Sequence, residues 1–573
     1  MRVSKACERC RQRKIKCDGH SPCSSCQKQA QALCIFRIRN RHRRSKRSPL
    51  PASSVTNATD QSQHPERQFS TVGVEQSSTL SSRPIVCRPS SNEYFQRHIL
   101  KHLNGAVHTC LSLDASNIKA FSTDHNGHVD HMPQSISHSR DPDSLCWPAL
   151  EPAKARVLLR NYERTIHHLF PLLPVSDLRD LVEKMFCEGI DTDIPTSSKP
   201  VVLATLAVGA TVSKDTEWAD IVVKSIECHE SLSQHSLTVS SIQVSLLLAH
   251  FHAIMSNPVL SYHSLGVAIR KALAFGLHCD SSEPTRMSSV TIWSLYFYET
   301  WSSFRLGLPA MLRAENITTP LPEHEPFLCC LVRLSHIINH SSASMYSYYS
   351  GSPTSRWTTA CVLAEELSGF ASSVREQMQI VIGDLVSSLQ PLVQTVMLSN
   401  LYFHTFITTF RPLLLDRVRD EERLIETSHS YSGLRSRALS GTTTYSSQAL
   451  HQAAEMARAW LMFIVEAIDR CPLIRGLRYM HYYFESASYI LIYESSECPP
   501  LAQKNYPVLQ AGMNALSLIP PDPQLLCTSS TVGSMVSALE QSVIAPLDVL
   551  DGASASGDDA AGNCHEILGS CCL

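Results

Sequence analysis

Apolar positions recur at threes and fours through most of the chain beyond residue 150. Over 239–255 the set is Val239, Ile242, Leu246, Ala249 and Ala253, with Pro258 just past it. That is the spacing of one helical face followed by a helix breaker. Over 260–275 the set is Leu265, Ala268, Ile269, Ala272, Leu273 and Phe275. Gly276 follows, where a helix end favours a left-handed residue. Further helices are predicted over 152–170, 289–304, 389–410, 447–468 and 475–494. Residues 201–212 are the longest apolar run, well short of the roughly 20 residues that span a bilayer, and are expected to be a buried helix. Alternating strand runs framed by hairpin turns are absent, as is any short-period repeat. The expected fold class is mostly α.

Outside that body the pattern changes. Residues 1–36 form a small cysteine-rich head. Residues 37–90 read as a linker, first basic and then Ser/Thr-rich, with too little apolar content to pack. Residues 91–149 are a poorly defined connector with a short helix at about 94–103, then a His- and Ser-rich loop. Residues 150–545 are the all-helical domain, and 546–573 a small, polar tail expected to be disordered. Beside that tail, residues 543–551 (VIAPLDVLD) alternate acidic and hydrophobic character. They suit either the last packed piece of the body or an interaction segment of a disordered tail.

Charge sharpens this division. The 573 residues carry a formal net charge of −2, but residues 1–48 hold 15 Lys/Arg against Glu8 and Asp18, a net of +13, which leaves −15 on the remainder. A basic head on an acidic body points to a polyanion partner for the head. No signal-peptide core is present at the N-terminus, and the fourth residue from the end is Ser570 rather than the Cys that prenylation needs. The expectation is a soluble intracellular protein with no membrane partner.

Six of the 21 cysteines fall within residues 7–34: Cys7, Cys10, Cys17, Cys23, Cys26 and Cys34. Their spacing, C-x2-C-x6-C-x5-C-x2-C-x7-C, is two similar halves in tandem. In a reducing compartment such a cluster implies metal before disulfides. Structural zinc takes four ligands, so two ions need eight places, and six thiolates fill them only if two of them bridge both metals. A single four-thiolate zinc on Cys7, Cys10, Cys23 and Cys26 is the plainer alternative. Either way a head this small cannot bury a sufficient core, and metal should drive its folding.

These residues resemble a known family. ACERCRQRKIKCDGHSPCSSCQKQAQALC is similar to the fungal-type binuclear zinc-cluster DNA-binding domain, including the basic run from Arg11 to Lys16, the Cys17-Asp18-Gly19 turn and Pro22. The resemblance implies two zinc ions per chain, with Cys7 and Cys23 bridging, Cys10 and Cys17 completing one site, and Cys26 and Cys34 the other. It implies double-stranded DNA as partner and a CGG-type triplet as target. Lys14 would contact bases beside Arg13, while Arg11, Lys16 and Lys28 would meet phosphates. Arg41, Arg43, Arg44, Lys46 and Arg47 form a second basic cluster, a candidate nuclear-import signal or an electrostatic arm on DNA, so the expected location is the nucleus. Some family members dimerise through a coiled coil after the head, but no sustained heptads occur over 48–90. A head acting as a monomer on one triplet is therefore expected, with the helical body left as the candidate homodimer interface.

The body also resembles the middle homology region of fungal transcription factors, an all-helical regulatory domain, through YERTIHHLFPLLP (162–174), SIQVSLLLAHFHAI (241–254), YHSLGVAIRKALAFGLHCD (262–280), IWSLYFYETWSSFRLGLPAML (292–312) and YFHTFITTFRPLLL (402–415). It departs at Glu299-Thr300, where an acidic–basic pair is frequent, and at Gly307-Leu308-Pro309, where Gly-Arg-Pro is frequent. Enzyme signatures are absent. There is no P-loop and no G-x-G-x-x-G; His229-Glu230 and His235 miss the H-E-x-x-H spacing; and Ser556 stands where a nucleophile elbow after Ser554 needs Gly. His125, His128 and His131 lie in a polar loop. The reading is a non-enzymatic, sequence-specific DNA-binding transcription factor of the RNA polymerase II type, with a metabolic and possibly secondary-metabolite gene cluster as its target. The alternatives are a helical ligand-binding or enzymatic protein with an accessory zinc head, and a metal buffer.

Overall fold

The structure, a computed structural model, describes residues 10, 15, 17, 23–27, 89–106, 145, 147–186, 194–213, 215–232, 237–279, 285–346, 352–388, 392–427 and 436–541. The chain divides into two units, Met1–Thr71 and Val72–Leu573. Among the described residues the fold is helical and no strand is present, as the patterning predicts.

In the first unit the described helix is α1, Ser24–Gln27. The second unit begins with α2, Asn92–Ala106. Then come α3 Pro152–Arg164, a short 3-10 turn Ile166–His168, α4 Val175–Phe186, α5 Lys199–Val212, α6 Thr216–Leu232, α7 Val239–Ile254 and α8 Pro258–Phe275. The series continues with α9 Arg286–Leu306, α10 Pro326–Met345, α11 Pro353–Met378, α12 Leu392–Thr427 and α13 Ser436–Arg470. A single turn, α14 Pro472–Arg475, leads to α15 Met480–Glu497, α16 Pro499–Leu516 and α17 Pro523–Leu539.

Local chemistry explains where these helices begin and end. Thr238 and Ser241 form a reciprocal cap at the start of α7, and Asp522 accepts from the amides of Gln524 and Leu525 at the start of α17. Such caps satisfy amides that the helix itself leaves open. Proline opens α3, α8, α10, α11, α16 and α17, where its missing N–H costs nothing. Gly276 and Gly307 close α8 and α9 in the left-handed region, at φ 84° and 68°. The predicted 152–170 helix is interrupted instead: Thr165 leaves helical geometry, and the Tyr162 hydroxyl donates to the Phe170 carbonyl across the resulting bend. The predicted 475–494 helix starts five residues later, at Met480, after the α14 turn.

Three helices are enclosed on nearly every side. Pro200 to Thr211 of α5 are all buried, as are Ser289 to Phe304 of α9, and α15 is buried over almost its whole length. A helix apolar all round belongs inside a large core, and this confirms the buried reading of 201–212. Helices α3, α5, α6, α7 and α8 pack in sequence around one end. Helices α12, α13, α15, α16 and α17 pack around the other, with α9, α10 and α11 between. At Gly209 a Cβ would sit 2.1 Å from the Leu158 carbonyl oxygen, so α3 lies directly on the α5 backbone. In α8, Leu265, Ala268, Ile269 and Ala272 are buried as predicted, whereas Leu273 and Phe275 face solvent because the stripe drifts off the contact near the helix end.

The short helix predicted at about 94–103 is present and runs over Asn92–Ala106. Helix α2 packs on α12 and α15, and residues 90–92 thread into the core. Ser90 Oγ donates to the Phe304 carbonyl at 2.8 Å, and Asn92 accepts from Ser486 Oγ at 2.8 Å and donates to the Tyr482 carbonyl at 3.2 Å. Phe95 lies under the guanidinium of the fully buried Arg411, 5.0 Å from ring centre to charge.

Candidate metal centre and regulatory body

The head is built on one short turn. Cys23 and Cys26 share a helical face at i and i+3, and the Cys26 amide donates to the Cys23 carbonyl at 2.9 Å. A second turn brings Cys10 over them, closed by the Ile15 amide on the Cys10 carbonyl at 3.1 Å. The sulfur atoms of Cys10, Cys23 and Cys26 all lie within 4.8 Å of one another and are buried. Cys17 packs against them, half-buried. The Cys10 and Cys23 sulfurs are 3.6 Å apart. A disulfide would hold them at about 2.05 Å; two thiolates on a tetrahedral zinc with Zn–S near 2.3 Å stand about 3.8 Å apart. The spacing therefore fits metal ligation rather than oxidation.

Of the predicted ligands, the structure brings Cys10, Cys23 and Cys26 together with Cys17 beside them; Cys7 and Cys34 lie outside the described residues. So do Lys14, Arg13, Arg11, Lys16 and Lys28, and the basic cluster Arg41, Arg43, Arg44, Lys46 and Arg47. Within the basic run, Ile15 is described and projects to solvent.

In the body, sequence reasoning gave no role to Glu299, and the structure supplies one. Its buried carboxylate accepts from the backbone amides of Met311 and Leu312, the latter at 2.8 Å. This pins the loop after Gly307 against α9. Burial raises the Glu299 pKa, and the two amides partly offset that rise. The clue was a lone acid in an apolar helix two turns before a Gly-x-Pro. A second missed constellation joins three helices. Arg458 of α13 donates to Glu494 of α15 and to Asn505 Oδ1 of α16 at 2.7 Å, while Asn505 Nδ2 donates to Glu494 at 2.9 Å. Its members are 11 to 47 residues apart in sequence, and no local pattern announces them. Among the described residues no helix is long and apolar enough to cross a membrane.

A buried thiolate cluster in a basic head, followed by an all-helical body, defines a zinc-cluster DNA-binding regulator. Residues 5–43 match the fungal Zn(2)-Cys(6) binuclear cluster domain, and residues 159–379 match the fungal specific transcription factor domain. The chain therefore carries both of these fungal domains, and the cofactor of its cluster is zinc, two ions per cluster. The metal's contribution is structural: it holds together a fold with almost no apolar core.

Known relatives agree with the domains. An uncharacterized transcriptional regulatory protein of Schizosaccharomyces pombe is 22% identical over 581 residues, covering 87% of this chain and 71% of the relative. Zinc finger protein grt1 of the same organism is 23% identical, over 57% of this chain and 52% of its own. The Saccharomyces cerevisiae protein named probable transcriptional regulatory protein STB4 is 51% identical across 45 residues, 8% of this chain and 5% of its own. No solved structure matches the chain.

Proposed function

We propose that the protein is a nuclear, sequence-specific transcription factor that reads a CGG-type triplet through its head and regulates a metabolic gene cluster, of secondary metabolism in particular. The observation that supports the DNA reading is the convergence of Cys10, Cys23 and Cys26 in a head whose sequence carries the basic run Arg11–Lys16 directly after Cys10. Cys23 lies beside both Cys10 and Cys26, which supports its role as one of two bridging thiolates. Cys7 is the other bridge, Cys10 and Cys17 complete one zinc, and Cys26 and Cys34 the second. Lys14, with Arg13, donates to guanine in the major groove; Arg11, Lys16 and Lys28 neutralise phosphates. Arg41, Arg43, Arg44, Lys46 and Arg47 direct nuclear import or extend the backbone contact. Transcription machinery is the downstream partner, reached from residues 543–551. Dimerisation, where it occurs, uses the helical body.

The test is a binding comparison. Lys14→Ala should weaken binding to a CGG-containing duplex by about 1–3 kcal/mol while sparing scrambled DNA. Arg44→Ala should weaken both alike and flatten the salt dependence. Equal losses on the two DNAs for Lys14→Ala would remove its base-reading role. Genome-wide occupancy, paired with expression in a deletion strain, identifies the regulated genes.

A further inference from the structure

The head holds one aliphatic side chain to which its own packing assigns no task. Between Cys10 and Cys26 every residue is charged, polar, Gly, Pro or Cys except Ile15. Ile15 keeps 47% of its surface exposed, while Cys10, Cys23 and Cys26 are buried. Its position is nevertheless fixed. The Ile15 amide donates to the Cys10 carbonyl at 3.1 Å, and Cys10 is one of the clustered thiols. The backbone of residue 15 is thus tied to the metal centre, whereas its side chain lies outside the cluster that Cys10, Cys17, Cys23 and Cys26 make.

The surrounding sequence indicates what that side chain meets. Arg9, Arg11, Arg13, Lys14 and Lys16 all fall within residues 9–16, with no acid among them. A run of that density suits a polyanion. Duplex DNA is a polyanion with few apolar features, and in the major groove the apolar one on a base edge is the C5-methyl group of thymine. Isoleucine is a fitting complement. Its β-branch leaves χ1 few choices, so a stiff apolar surface gives up little freedom on contact. Neighbouring Cα atoms are about 3.8 Å apart, and neighbouring base pairs about 3.4 Å. A residue beside a base-reading Lys14 is therefore in register with the base pair beside the one that Lys14 reads.

We infer that Ile15 is a specificity-determining residue, whose side chain packs on the C5-methyl group of a thymine in a base pair adjoining the triplet. The inference rests on the DNA-binding reading and deepens it. Lysine and arginine donate to guanine and to phosphate oxygens, and neither contact distinguishes thymine from the same base without its methyl group. Ile15 makes that distinction, because closing its exposed surface over the methyl removes apolar area of both partners from water. The target is then longer than the triplet by one base pair, read through shape and apolar contact instead of a hydrogen bond.

The experiment measures binding of the full-length, zinc-loaded chain to CGG duplexes in which the base pairs directly before and after the triplet are varied. Each flanking thymine is then exchanged for deoxyuridine, which lacks only the methyl group. At one flanking position thymine should be preferred, and deoxyuridine there should weaken binding about fourfold, the effect of burying one methyl-sized group. Ile15→Ala should bind the thymine and deoxyuridine duplexes equally, with both zinc ions retained and the salt dependence unchanged, since no charge is lost. The exchange on the DNA needs no variant, so the test stands even if Ile15→Ala fails to fold. A wild-type chain that does not distinguish CGG from scrambled DNA would remove the DNA reading and this inference with it. Recognition of CGG with thymine and deoxyuridine bound alike at every flanking position would overturn the Ile15 assignment alone, as would a thymine preference that survives Ile15→Ala.

Discussion

Arg458, Glu494 and Asn505 show how much of the body's stability rests on single buried polar groups. Together with Glu455, which also accepts from Arg458, the three satisfy one another inside the packing of α13, α15 and α16. Removing one partner strands a charge in a low-dielectric interior, which costs about 3–5 kcal/mol. Arg458→Met should therefore lower the urea midpoint sharply, and adding Glu494→Leu should restore most of the loss; a double variant no better than the single would show that the network acts through packing instead. Titration gives a second residue-scale expectation. Burial lowers the pKa of His168 to about 4, of His250 to about 3 and of His481 to about 4. Each is neutral when folded and gains its proton on unfolding below about pH 6.5. Each therefore removes stability as pH falls through 6.5 toward 4, by at most about 1.4 kcal/mol per pH unit. Glu485, raised to about 7 by burial, has the opposite sign: its contribution is present at low pH and is lost as pH rises toward 7. His336 and His404, also lowered by burial, add to the loss, while Glu299 and Asp220, raised by burial, act with Glu485; the five histidines outweigh the three carboxylates and leave a net loss. The Tm should fall between pH 7 and pH 5, and His250→Phe should make that fall shallower; an unchanged slope would contradict the assignment.

Among the elements, α2 has the most to lose. Its anchor is Phe95 beneath Arg411, together with the threaded residues 90–92. Phe95→Ala removes both the ring and the surface that shields a buried guanidinium, at a cost of about 3–5 kcal/mol. Hydrogen exchange should then show lost protection over residues 89–106 while α9 stays protected. If α9 loosens equally, α2 is part of one cooperative unit with it. The sequence announced some elements far better than others. Helices α7 and α8 were legible because their apolar positions are frequent and end in Pro258 and Gly276. Helix α11 was not, although Ala360, Leu363, Leu367, Phe370 and Val374 are buried at threes and fours. That stripe is one residue wide and opens in a run of Ser and Thr, which favour turns as readily as helix. Helices α16 and α17 were obscured by Pro499, Pro500, Pro507, Pro520, Pro521 and Pro523, several of which sit at helix starts where proline is tolerated. The thiolate centre was legible for the opposite reason: all six of its cysteines lie within 28 residues, so the spacing alone announces a metal centre. The Arg458–Glu494–Asn505 network collects residues from α13, α15 and α16, and only the tertiary fold makes them neighbours.

The whole body, from residue 89 onward, is held together by contacts that ignore chain order: Ser90 meets Phe304, and Asn92 meets Tyr482 and Ser486. The covalent link between α2 and Pro152 is therefore not what keeps α2 in its seat. A chain divided between residues 107 and 144 should behave as a split protein. The piece ending at residue 106 and the piece beginning at residue 145, made together, should reassemble and copurify, and Asn92→Ala combined with Phe95→Ala should abolish that reassembly. Recovery of the second piece alone would mean that the peptide link supplies an effective concentration the interface cannot do without. If the pieces do reunite, this seam lets the DNA-reading end of the protein be attached to its helical body on demand, by complementation rather than by translation.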